Sequence, residues 1–269
     1  MSVTPSTHER VSVRGLSFHC RLDGPPGAPW LMFSNSLLTD LSVWDAQVAA
    51  LAANYRILRY DQRGHGGTQV PPQPTNLDEL VGDAAALLDV FRIDRVAVIG
   101  VSMGAATALC LAARSAGRVT RVAASDGQAA TAPNGAAAWQ ERIDFAVAHG
   151  MAAVAESTIQ RWLTPPTLAS GRPAVQHVGD MVRGTSLDGF IACARALQSY
   201  DFRTELGAIQ QPALLIAGEQ DGAMPKTMQA MQAAIPGARY TEIAGAGHLP
   251  GLEQPAAFNA SLVPFLAET

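Results

Sequence analysis

Short apolar runs and stretches with helical spacing take turns along most of this chain. Val11–Arg14 alternates apolar and polar positions, Gly15 turns the chain, and Leu16–Cys20 alternates again, which predicts a β-hairpin. After the Gly- and Pro-rich turn at 24–29, Trp30–Phe33 is an apolar run of the kind buried on both faces. Trp44, Val48 and Leu51 then recur at helical spacing, and Tyr55–Tyr60 reads as a strand. A helix is predicted from Thr75, with Asp78 three residues on as a capping box and Leu80, Leu87, Leu88 and Phe91 as its apolar face. A strand at Arg95–Ile99, an Ala-rich helix from Met103 and a strand at Arg121–Ser125 follow.

That alternation stops at Asp126. From Gly127 to Tyr200 only helical periodicities occur, broken by Pro133, Gly150, Pro165-Pro166 and Gly184. The strand pattern resumes at Pro212–Ala217, and then come a helix after Pro225, a strand at Arg239–Ile243 and a last helix from Pro255. Strands alternating with helices predict an α/β fold, a mostly parallel doubly wound sheet with an N-terminal antiparallel hairpin. The helical stretch predicts a cap. The expected division is a core of residues 1–126 and 201–269 with a cap of 127–200.

Composition narrows the function. A chain of 269 residues, 48% of them hydrophobic, can bury one large core. A net charge of −4 leaves no basic footprint for nucleic acid, and no apolar run is long enough to span a membrane. Met1–Arg10 is polar and lacks the apolar centre of a secretory signal. Cys20, Cys110 and Cys193 are scattered and odd in number, which argues against a disulfide framework. No Cys or His pair has zinc-ligand spacing, so neither metal nor cofactor is expected. These features predict a cytoplasmic protein whose partner is a small-molecule substrate, with no nucleic acid and no membrane; self-association into a homo-oligomer is left open.

The chemistry centres on Gly100-Val-Ser102-Met-Gly104, a G-x-S-x-G sequence directly after a predicted strand and directly before a predicted helix. That context sets a serine on a sharp turn, with the Met103 N–H at the helix start directed at developing negative charge. A serine nucleophile needs a base. Of six histidines only His149, His177 and His248 lie after Ser102, and the first two fall in the helical stretch. His248, in the loop Gly245–Pro250 after a strand, is the candidate. The acid is either Asp221, after the strand ending at Ala217, or Asp126, after the strand before it; spacing does not separate them.

Taken with Phe33–Leu37, Tyr60–Gly66, Gly218–Asp221 and Gly247-His248, these pieces resemble the α/β-hydrolase fold family, and more narrowly its bacterial 3-oxoadipate enol-lactonases. The resemblance extends over nearly the whole chain, including Gln160–Thr164. It implies a Ser102–His248–Asp221 triad that cleaves a small carboxylate-bearing lactone through an acyl-enzyme, with Asp126 the alternative acid. It also implies an oxyanion hole from the backbone N–H groups of Leu37 and Met103. A substrate carboxylate calls for a cation, and Arg161 beside Trp162 is the candidate, with Trp139 as a pocket wall. Asp61–Gly66 is read as structural, a glycine-rich loop tied to the sheet by Asp61 and Arg63. The chain departs from the lactonase pattern at Leu38 and Ala105, where glycine is expected, and at Asp126-Gly-Gln128; Leu38 would crowd the acyl pocket. Rival readings are a carboxylesterase or C–C bond hydrolase, a cofactor-free haloperoxidase or perhydrolase, and a ligand receptor with vestigial turnover.

Overall fold

A computed structural model describes residues 6–268. Residues 1–5 of the polar start Met1–Arg10 lie outside the described residues. Eight strands form one sheet: β1 Thr7–Val13, β2 Leu16–Asp23, β3 Trp30–Ser34, β4 Arg56–Tyr60, β5 Val96–Val101, β6 Val119–Ser125, β7 Ala213–Gly218 and β8 Arg239–Ile243. Their order across the sheet is β1-β2-β4-β3-β5-β6-β7-β8.

Burial explains which strands pair which way. β5 and β7 are apolar and buried at every position, as a strand covered on both faces must be, and they pair parallel with their neighbours. In β2 buried and part-buried positions alternate from Leu16 to Leu22, and this strand runs antiparallel to both β1 and β4. Val13 pairs with Leu16, so the hairpin turns on Arg14 and Gly15 alone. Both have positive φ, 48° and 82°, the backbone twist that a two-residue hairpin demands.

The chain runs from β3 to β4 on one side and then crosses to β5 on the other side of β3. The carboxyl ends of β3 and β5 therefore flank the point where strand order reverses, the place where open α/β sheets bind ligands. The turn after β3 and Ser102 after β5 both sit there.

The connection between β6 and β7 holds four α-helices, Gly135–Trp162, Pro165–Ala169, Pro173–Gly184 and Leu187–Gln198. Its two roots are stitched together where Phe202 N donates to Ala129 O and Thr131 N to Tyr200 O, each at 2.9 Å. The long first helix kinks at Gly150, whose φ of 76° breaks the helical backbone. No described helix is long and apolar enough to cross a membrane.

Two local expectations need correction. The helix expected from Thr75 spans Leu77–Val90, and its cap is Asn76, whose side chain accepts from Glu79 N. Thr75 is committed elsewhere: its N–H donates to Ala192 O at 3.1 Å and its hydroxyl accepts from Arg63 at 3.3 Å. In the loop Asp61–Gly66, Asp61 does tie to the sheet, through His19 on β2 at 2.7 Å. Arg63 instead forms a fork onto Asp83, at 2.6 and 2.7 Å, and reaches Glu79, both on the helix Leu77–Val90. A buried guanidinium needs carboxylates, and that helix is the neighbour that offers them.

Candidate active site

Ser102 occupies the turn between β5 and the helix Met103–Arg114 with φ 56° and ψ −114°, a backbone that a residue bearing a side chain adopts only under constraint. The constraint is visible on both sides. A Cβ on Gly100 would lie 2.0 Å from Gly104 O, and one on Gly104 would lie 2.0 Å from Ser34 O. Glycine at these two positions lets helix and strands approach closely enough to hold the turn. Ser102 N donates to Ser125 O at 2.8 Å, which fastens the turn to β6.

The turn after β3 faces it. Asn35 is locked by its own side chain, donating to Tyr60 O at 2.8 Å and accepting from Trp44 Nε1 at 2.9 Å. Leu38 has a φ of 68°, the left-handed backbone that the expected glycine would adopt without strain. Among the described residues the Leu37 and Met103 N–H groups have no protein acceptor, and both residues line the cavity with Ser102. Ser36, also on the wall, has a buried hydroxyl with no hydrogen-bond partner among the described residues.

His248 Nδ1 lies 2.7 Å from Asp221 Oδ2. Their loops are pressed together at the sheet edge, since a Cβ on Gly218 would lie 1.9 Å from Gly247 O, and Gln220 N donates to Ala246 O at 2.8 Å. The helical connection braces the same loop. His248 N donates to Trp162 O at 2.8 Å, and the Trp162 ring stands 5.1 Å from the imidazole. Glu253, fully buried, accepts from Gly247 N at 2.7 Å and from Thr164 N and Oγ1 at 2.8 and 2.7 Å.

Asp126 makes no hydrogen bond to His248 among the described residues. Its Oδ1 accepts the Gly218 N–H at 2.8 Å and its Oδ2 accepts the Ser125 hydroxyl at 2.5 Å. Burial, then the charge of Asp221, push its carboxyl well above the usual carboxylate range. Of the two candidate acids, the one in contact with the imidazole is Asp221.

A cavity of about 760 Å³ joins these groups, within the usual range for a small-molecule site. Ser102, Asp221 and His248 line it, as do Trp139, Arg161 and Trp162 of the helical connection. Sequence reasoning missed Arg142, which lines the cavity with its guanidinium 4.5 Å from the Trp139 ring centre. The signal was present, because Trp139 and Arg142 are three apart and share a helix face. Neither arginine forms a salt bridge among the described residues. Arg161 presents much of its surface to the cavity, yet the protein packed round it, and then the neighbouring Arg142 charge, lower its pKa to about 10. Burial lowers that of Arg142 as well. Among the described residues no cluster of His, Cys, Asp and Glu could hold a metal ion.

A hydroxyl on a strained turn, an imidazole held by a carboxylate and two unpaired amide donors are the parts that acyl transfer requires. The chain is similar to known proteins over most of its length. The sequence pattern of a family described as the alpha/beta hydrolase fold matches residues 29–255. The 3-oxoadipate enol-lactonase 2 of Acinetobacter baylyi is 33% identical over 236 residues, covering 88% of each chain. The crystal structure of an enol-lactonase from Burkholderia xenovorans matches with a TM-score of 0.93 at 37% identity, over 97% of this chain and 100% of that one. A hydrolase from Pseudomonas aeruginosa matches with a TM-score of 0.92 at 34% identity, over 97% and 98% of the two chains.

Proposed function

Because the chain belongs to the α/β-hydrolase fold family and is a hydrolase, we propose that it opens a small carboxylate-bearing lactone of the enol-lactone kind through an acyl-enzyme. Ser102 Oγ attacks the lactone carbonyl while His248 Nε2 takes its proton, and Asp221 holds the imidazole in the required tautomer. The developing oxyanion is met by the N–H groups of Met103 and Leu37, which need no reorganisation to receive it. Collapse breaks the ring C–O bond, and the leaving oxygen departs as an enolate that takes the proton back from His248. It stays tethered to the acyl chain, because ring opening releases no fragment. Water activated by His248 then attacks the ester to Ser102 and yields the free acid, in which the enol becomes a ketone. The product carries one more carboxylate than the substrate.

The observation that carries the choice of substrate is the pair Arg142 and Arg161, two cations lining the cavity without a carboxylate partner among the described residues. Cations left so in a cleft favour an anionic ligand, and guanidinium groups suit a carboxylate in particular. In this reading residues 127–200 are the cap that excludes water and sets specificity over a core of 1–126 and 201–269, in a cytoplasmic enzyme.

One purified sample tested on a panel decides it. Carboxylate-bearing enol-lactones, simple lactones, neutral aryl esters and meta-cleavage products would be compared by kcat/KM. The proposal requires the first class to lead by at least about tenfold, the contribution of one charged hydrogen bond. A lead for neutral esters or for meta-cleavage products would replace it with the esterase or C–C hydrolase reading, and no steady turnover on any class would point to a receptor.

A further inference from the structure

Asp126 follows β6 at the carboxyl edge of the sheet, with a φ of 48° and 1% of its surface exposed. The reaction above makes no use of it, although it lines the cavity with Ser102, Asp221 and His248. Besides its bonds to Gly218 N and Ser125 Oγ, its carboxyl is in hydrogen-bonding contact with that of Asp221. Burial, and then the neighbouring Asp221 charge, favour the neutral form of the Asp126 carboxyl. Asp221 keeps 15% of its side chain exposed and faces the imidazole, where a negative charge has a use. Asp126 is the deeper of the two, and no cation is paired with it among the described residues.

Asp221 also needs what Asp126 can give. Apart from His248 Nδ1, no described N–H donates to the Asp221 carboxylate. A carboxylate holding an imidazole through one bond is free to swing about its Cβ–Cγ axis. A second bond from a fixed donor stops that rotation, and Asp126 is fixed by Gly218 N, the amide that begins the loop leading to Asp221.

We propose that Asp126 is a positioning residue: a neutral carboxylic acid that donates a hydrogen bond to Asp221 and keeps it aligned on His248. The inference rests on the Ser102–His248–Asp221 reading and is independent of which ester or lactone is the substrate. The ionisable groups around the pair are Asp221 on the loop after β7, His248 on the loop after β8, Tyr240 on β8 and Arg161 from the helical connection.

The test uses turnover of p-nitrophenyl acetate by the full chain, with Ser102→Ala and Asp221→Asn as references. Asparagine at 126 keeps both an oxygen for Gly218 N and an N–H for Asp221, so Asp126→Asn should hold kcat within about fivefold of the parent. Asp126→Leu should lose about fiftyfold or more in kcat with KM little changed. Stability supplies a readout that does not depend on the Leu variant folding. A raised pKa in the folded chain contributes stability below the unfolded value, near about 4, which is lost as pH rises towards the folded value. Asparagine has no such loss. The stability of Asp126→Asn minus that of the parent should therefore grow between pH values of about 4 and 7.

A gap that stays flat with pH means that Asp126 is ionised in the fold and overturns the proposal. So does an Asp126→Asn variant as damaged as Asp221→Asn, or an Asp126→Leu variant with unchanged kcat. Retained activity in Ser102→Ala or Asp221→Asn would overturn the triad reading itself, a separate failure.

Discussion

Arg142 and Arg161 differ from the buried arginines Arg59 and Arg63, which the fold uses. Arg59 and Arg63 each sit against two carboxylates, and removing either would leave buried charges unpaired. Arg142 and Arg161 have no such partners among the described residues, so substitution there takes away a ligand contact and leaves the fold intact. Arg161→Ala should raise KM for a carboxylate-bearing lactone by about tenfold to hundredfold, the equivalent of about 1.5–3 kcal/mol, with kcat little affected. A neutral aryl ester should be turned over as before; equal losses on both substrates would mean that Arg161 holds the helical connection together. The acid gives the second prediction at this scale. Asp221→Asn should lower kcat by about ten thousandfold through the wrong imidazole tautomer, measured at saturating substrate. From the sequence both Asp126 and Asp221 follow parallel strands and precede a glycine or lie one residue from it, so spacing had nothing with which to rank them. The contact that ranks them spans 27 residues of chain and exists only once β7 and β8 are paired.

At the scale of elements, the turn at Ser102 is held from outside. Gly104 has its missing Cβ directed at Ser34 O, a backbone atom in β3 that cannot swing aside. Gly104→Ala should therefore push the helix Met103–Arg114 off the sheet and cost about 3 kcal/mol or more, read as a lowered denaturation midpoint together with lost turnover. Full stability with full activity would show that the turn does not depend on that approach. This element was legible in the residues because its signal is local: an apolar run, two glycines at fixed spacing and an Ala-rich helix. The β1–β2 hairpin was legible for the same reason, its alternation running up to a two-residue turn. The start of the helix Leu77–Val90 was not. Thr75 and Asn76 are both good caps, and what excludes Thr75 is a backbone bond to Ala192, more than a hundred residues away. Arg142 carried a signal in its three-residue spacing from Trp139, but periodicity does not say whether that shared face turns to solvent or to a cavity.

Across the whole molecule, the imidazole is held from two sides. The core supplies Asp221, and the helical connection supplies Trp162, whose carbonyl accepts the His248 N–H and whose ring faces the imidazole. Glu253 joins the two halves, one carboxylate oxygen on Gly247 N and the other on Thr164. Three donors converge on this buried group, so both its oxygens act as acceptors. Glutamine at the same place keeps the shape but turns an N–H towards one of those donors. Glu253→Gln should accordingly lose about 2–3 kcal/mol of stability, the scale of a broken hydrogen bond to a charged group. If the join also sets the base, kcat should fall at temperatures far below the unfolding transition, while the rate at which an alkyl phosphonate labels Ser102 falls in parallel. A variant that melts earlier yet keeps its kcat and its labelling rate in the cold would show that Glu253 only fastens the helical connection, leaving Asp221 and Trp162 sufficient to place His248.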